Sequence, residues 1–212
     1  MASSRDTAKP PRRRRADARR SIDAILDAAR RLLGDRLDVG MEDIAAAAGV
    51  TRQTVYAHFP SRDALLGALV ETAAAEYAAL LDEAELDAAP PVDALARFLD
   101  AGWQFLGRYR FLLNATAAQV PRPDADPHDF GPPRLERLLE RGQRTGDFDA
   151  SLPAAWLAAA IFGLQHTAVA HIAGGRSSAD EAKALCLAST LRLCGAPAGD
   201  PVMLAERGDR PL

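Results

Sequence analysis

The chain has 212 residues, 48% hydrophobic and 26% charged, with a formal net charge of -3. These values are ordinary for a soluble globular protein and allow one sizeable domain or two small ones. Alanine and leucine dominate and aromatics are only 6%, which favours helices over sheets. No window approaches the apolar length needed to span a bilayer. The polar, arginine-rich N-terminus has no apolar core behind it, which excludes a secretory signal. Cys186 and Cys194 lie eight residues apart in one expected helix. They cannot reach each other there, and read as small buried residues in a reducing cytosol.

The net charge hides an uneven distribution. Residues 1–62 hold 13 Lys and Arg against 8 Asp and Glu, a net of +5, whereas residues 63–212 hold 13 against 21, a net of -8. A basic N-terminal third on an acidic body suits a protein that touches a polyanion with one end.

Residues 1–18 are polar, with Pro10-Pro11 and the run Arg12–Arg15, and read as a disordered basic arm. Ile22, Ile25, Leu26, Ala29, Leu32 and Leu33 then mark one buried face of a first helix. Gly34 to Gly40 breaks it. Met41, Ile44, Ala45 and Ala48 form the next face, with Glu42 and Asp43 placed at the positive end of the helix dipole. Gly49 suits a left-handed turn, and Val50 plugs the space beneath the two helices. Thr51 caps a short helix to about His58. Pro60-Ser61 stops it and starts a long helix over about 62–85.

Further helices are expected at about 92–107, 109–120, 133–145, 153–173 and 178–194. Residues 121–133, rich in Pro and Asp, read as a loop. Ser178 to Glu181 is a capping-box pattern, and residues 198–212 read as a flexible tail. The fold class is therefore all-α, with about nine helices and no strand.

Residues 44–59 carry the chemistry. Two short helices broken at Gly49 form a helix-turn-helix, whose second helix is shaped to enter the DNA major groove. Its outward residues are Thr51, Arg52, Gln53, Thr54, Tyr56 and His58. Arg suits guanine O6 and N7, and Gln suits adenine N6 and N7, each by two parallel hydrogen bonds. The Thr and Tyr hydroxyls suit phosphates, and Arg62 adds a further phosphate contact. The run Arg12–Arg15 reads either as a phosphate-tracking arm or as a solubilising tail.

The first helix, the segment Ile44–Val50, the run Thr51–Phe59 and the run Ser61–Leu66 resemble the N-terminal domain of the TetR family of bacterial transcriptional regulators. The resemblance covers roughly residues 19–70, and Tyr56-x-x-Phe59 after Gly49-Val50-Thr51 is its most specific part. It implies that the third helix reads operator DNA and that Tyr56 contacts phosphate. Three features depart from the family pattern, the first being the link between the first two helices, Gly34–Gly40, which is about two residues shorter than usual. The Thr cap before the second helix is absent, so Asp38 or Gly40 must serve, and Gln53 stands where the family often has a small residue.

The resemblance further implies that residues 19–62 form a three-helix DNA-binding domain and residues 63–197 a helical domain for dimerisation and ligand sensing. The sequence supports the first task on its own. Helix 153–173 is apolar nearly all round, so it needs burial on every face. With helix 178–194 it could pair with a two-fold mate as a four-helix bundle. Candidate pocket residues are Trp103, Leu106, Phe111, Asn114, Phe162, Gln165 and His166, which mix large apolar surfaces with a few polar groups. His166 and His171 are five apart, not the four that puts two metal ligands on one helical face, so no metal is expected.

No phosphate-binding glycine loop, nucleophile elbow or His-Glu-x-x-His occurs, so an enzyme is not expected, nor a cofactor. The expected protein is a cytoplasmic, homodimeric, sequence-specific transcriptional regulator. Its partners would be double-stranded palindromic operator DNA, a second copy of itself and a small-molecule effector that releases it, with no membrane. The alternative is a sequence-tolerant architectural DNA binder without an effector.

Overall fold

The computed structural model describes residues 11–36, 38–109 and 131–196, with side chains from residue 16 onward. The secondary-structure elements among the described residues are helices: α1 (Pro11–Asp35), α2 (Met41–Ala47), α3 (Arg52–His58), α4 (Arg62–Glu83), α5 (Pro91–Arg108), α6 (Gly131–Thr145), α7 (Ala154–Ala173) and α8 (Ala179–Leu193). The expected helix at 109–120 and the expected tail at 198–212 lie outside them.

The chain divides into two compact units. The first holds the residues up to Glu71 and includes Tyr109; the second holds Thr72–Arg108 and the described residues from Gly131 onward. The dividing point falls inside α4, later than the boundary at residue 62 expected from sequence.

In the first unit α2 packs against both α1 and α3. Ile25, Ala28, Ala29 and Leu33 of α1, Ile44 and Ala45 of α2, and Val55 of α3 are buried together with Val39, Phe59, Leu65 and Leu69. Ala45 leaves room for close helix crossing. α1 begins at Pro11, so the arm expected to be disordered through residue 18 is helical from there. Proline suits a first helical turn, where its missing N–H would have had no partner.

In the second unit α6 packs on α5 and α7, and α8 on α7 and α5. Residues 131–133, expected in a loop, form the first turn of α6. Gly131 fits there because a Cβ would meet Tyr77 at 3.0 Å and Phe162 at 3.1 Å. Ser178 closes a full capping box on α8: its hydroxyl accepts from the Glu181 N–H at 3.2 Å, and its own N–H donates to the Glu181 carboxylate at 2.8 Å. The Ser178 N–H first, and the Ser178 side chain second, hold the Glu181 carboxyl below its usual range.

One expectation is corrected here. α4 and α7 are long and apolar enough, by composition, to cross a membrane. In α4 that composition serves a core: Leu65, Leu69, Ala73, Tyr77 and Leu81 are buried. Within a single copy, 28% of the most apolar window of α7 is buried. Ala154, Leu157, Ala158, Ile161, Gln165 and Ala168 face inward, whereas Trp156 stays 64% exposed.

Candidate nucleic-acid interface

The turn between α2 and α3 is built as its glycine predicts. Gly49 has φ +66°, which a Cβ would disfavour. Its N–H donates to the Ala46 carbonyl at 3.2 Å and the Val50 N–H to the Ala45 carbonyl at 3.1 Å, closing the end of α2. Val50 and Ala48 are half-buried, a shallower plug than the sequence suggests. Of the two caps left open for α2, the structure uses Gly40, whose N–H donates to the Asp43 carboxylate at 3.1 Å.

On α3 only Val55 is buried. Thr51, Arg52, Gln53 and Tyr56 are exposed, and Thr54 and His58 are half-buried. The exposed set includes Ala57, four residues after Gln53, which sequence reasoning left out. The spacing was visible: a methyl on the same outward face suits the thymine C5-methyl in the major groove.

Several expected contact residues already hold intramolecular bonds. The Thr51 hydroxyl accepts from the Thr54 N–H at 3.2 Å, and the two hydroxyl oxygens lie 2.9 Å apart. Arg62 is half-buried, and its Nε donates to the Val39 carbonyl at 3.4 Å. Arg52 donates to the Glu42 carboxylate and lies 5.3 Å from the Tyr56 ring centroid. Tyr56 first, and Glu42 second, push the Arg52 guanidinium further toward its charged form. Glu42 was read from sequence only as a helix-dipole residue.

The expected pocket residues separate in the second unit. Trp103 and Gln165 are buried, Leu106 and Phe162 half-buried, and His166 exposed, with its Nδ1 2.8 Å from the Phe162 carbonyl oxygen. Phe111 and Asn114 lie outside the described residues. Phe162 makes an edge contact with Phe98 at 6.0 Å, and Tyr77 stacks on Phe105 at 4.6 Å. Gln165 is 3% exposed, and its Nε2 has no hydrogen-bond partner among the described residues. An open groove of about 380 Å³ lies elsewhere in the same unit, lined by residues including Asp82, Glu85, Arg134 and Arg137. None of the expected pocket residues lines it.

No group of three metal-ligating side chains occurs among the described residues. Burial pushes the Cys186 and Cys194 thiols up to about 11, so neither is a thiolate at neutral pH.

A capped three-helix unit that buries one side of a short third helix and exposes Arg, Gln and Tyr on the other is a helix-turn-helix DNA-binding domain. Residues 25–69 match the family model described as "Bacterial regulatory proteins, tetR family". This N-terminal domain is thus similar to the DNA-binding domain of TetR-family regulators.

The HTH-type transcriptional repressor LfrR of Mycolicibacterium smegmatis is 40% identical over 78 residues, covering 37% of this chain and 41% of LfrR. An uncharacterized HTH-type transcriptional regulator of Mycobacterium tuberculosis is 50% identical over 52 residues, 24% of this chain and 26% of its own. These matches thus span less than half of either relative. Over the fold, the crystal structure of LfrR in complex with proflavine superposes with a TM-score of 0.65 at 26% identity, covering 81% of this chain and 95% of that one. A putative TetR-family regulator from Rhodococcus sp. reaches a TM-score of 0.72 at 21% identity, over 82% and 98%, and shares the fold.

Proposed function

We propose that the protein is a homodimeric, sequence-specific transcriptional regulator of the cytoplasm. It would act as a repressor that leaves a palindromic operator when a small-molecule effector binds in the second unit. The observation that carries this reading is the outward face of α3, where Arg52, Gln53 and Tyr56 are exposed beside a buried Val55. Arg52 and Gln53 would read base edges, and Thr51, Tyr56, His58 and Arg62 would serve the backbone. Thr54, tied to Thr51, would hold the cap that orients both.

Dimerisation is supported by the uncovered apolar surface of α7 and α8, where Trp156 is 64% and Leu185 59% exposed. Large apolar side chains left in water on two packed helices fit an interface with a second copy. A dimer would present two α3 helices to half-sites about one DNA turn apart.

Effector binding is supported by two aromatic pairs of the second unit, Tyr77 with Phe105 and Phe98 with Phe162, and by the buried Gln165 amide, whose nitrogen has no partner among the described residues. Tyr77, Phe98, Phe105 and Phe162 supply flat apolar surface, and the Gln165 amide supplies an unused donor. A planar compound suits such groups, and LfrR is a relative whose structure holds proflavine. α4 contributes residues to both units. An effector that tilts it would change the spacing of the recognition helices. Ten- to hundredfold release needs a coupling of only about 1.4–2.8 kcal/mol.

The test is selection from a randomised duplex pool, then footprinting. Protection of one palindrome with a specificity ratio above about a thousand supports the reading. Protection spread evenly over unrelated sequences would reject it in favour of an architectural binder.

A further inference from the structure

Glu42 lies in the first turn of α2 but does not close its cap, which Asp43 does instead. Its carboxylate reaches across the helix-turn-helix to accept from Arg52, ten residues along the chain. The same guanidinium lies over the Tyr56 ring at 5.3 Å. The Arg52 and Glu42 side chains are 62% and 69% exposed. An ion pair so open to solvent adds little to stability, so its presence on the reading face calls for another account.

We infer that Glu42 is a positioning residue of the DNA interface: it holds the Arg52 guanidinium in place for a base edge and cancels the charge that Arg52 would otherwise offer to any phosphate. The inference rests on the proposed reading that Arg52 contacts a base. Binding to arbitrary DNA grows with the number of cations facing phosphates. A cation already neutralised by a carboxylate adds little to it. A guanine edge is different, because O6 and N7 accept two parallel bonds from a guanidinium that has five N–H donors in a fixed fork. Arg52 can give two donors to guanine and keep another on Glu42. The Tyr56 ring beneath restrains the plane of the fork, and a long side chain ordered in advance loses less freedom on binding. Glu42 thereby widens the difference between the right sequence and every other, and that difference is what specificity consists of.

The substitution Glu42→Gln keeps the shape and removes the charge. Full-length wild type and variant are titrated against a duplex that wild type enriches from a randomised pool, and against sonicated DNA of mixed sequence. The titrations run over a series of salt concentrations, with circular dichroism to verify folding. For the variant, affinity for mixed DNA rises about tenfold and its salt slope steepens by about 0.9. Affinity for the enriched duplex stays level or falls, so the specificity ratio drops about tenfold or more. In an Arg52→Ala background, Glu42→Gln leaves the ratio unchanged. Equal shifts on both DNAs, or a ratio change that persists without Arg52, overturn the inference alone. If wild type enriches no duplex, or Arg52→Ala keeps the wild-type ratio, the underlying reading falls and this one with it.

Discussion

The Gln165 amide of α7 lies directly against Gly102 of α5: a Cβ at that glycine would sit 2.4 Å from Nε2. The donor is buried, and no described residue accepts from it. A buried donor left unpaired costs about 1–3 kcal/mol. Such a donor, in a unit that also holds the Tyr77–Phe105 and Phe98–Phe162 ring pairs, fits a group reserved for a ligand, because binding sites commonly trade stability for function. Gln165→Leu is therefore expected to raise the unfolding free energy by about 1 kcal/mol in urea. With proflavine as the probe, the same variant should bind about tenfold more weakly in a fluorescence titration. A Leu variant that is less stable yet binds proflavine normally would contradict this role.

Arg52 and Tyr56 should fail in different ways. Arg52→Ala is expected to lose about ten- to a hundredfold in operator affinity and to relax selection at one position of each half-site. Tyr56→Phe, which keeps the ring and removes the hydroxyl, should weaken binding by a similar factor on all sequences, because a phosphate contact carries no base information. Selection profiles of the two variants on randomised duplexes separate these outcomes. Relaxed selection by the Phe variant would move base reading onto Tyr56.

Trp156 and Leu185 provide the test of assembly. A double substitution to Glu puts charge on the exposed apolar surface of α7 and α8 without touching buried residues of either helix. Sedimentation at micromolar concentration should show wild type as a dimer and the variant as a folded monomer. Operator affinity should then fall by more than about a hundredfold, since one half-site is lost. A variant that remains dimeric would place the interface elsewhere.

The Phe148 ring occupies the space that a side chain at Gly142 would need, and a Cβ there would come within 2.1 Å of it. Phe148 is buried and follows the end of α6. Gly142→Ala must displace the ring, at a cost of about 1–3 kcal/mol in a denaturant melt. Substitution in an exposed helix would instead gain from better helix propensity.

Glu85 gives the opposite sign. It is the described non-glycine residue with positive φ, +48°. A left-handed conformation strains an L-residue by about 1–2 kcal/mol. Glu85→Gly relieves that strain and gives back part of it as chain entropy, so stability should rise by about 0.5–1 kcal/mol. Thermal unfolding measures the shift, and a lower melting temperature would show that the Glu85 side chain contributes more than the strain.

Helix periods, the Gly49 turn, the Thr51 cap and the Ser178 capping box were all legible in the sequence, because each is written within about four residues of itself. The same local pattern placed Arg52, Gln53 and Tyr56 outward, where the structure exposes them. The run Gly131-Pro132-Pro133 misled, since these residues suit a loop and a helix start equally well, and the rings of Tyr77 and Phe162 decide between them.

Sequence alone thus determined an all-helical chain with a groove-reading helix near its N-terminus, since backbone hydrogen bonding and amphipathic period are local. Tertiary structure decided that Glu42 meets Arg52, that the Gln165 amide nitrogen is shut in without a partner among the described residues, and that α7 leaves Trp156 exposed. Those facts depend on which helix faces which, and packing between residues distant in the chain leaves no periodic trace in the order of amino acids.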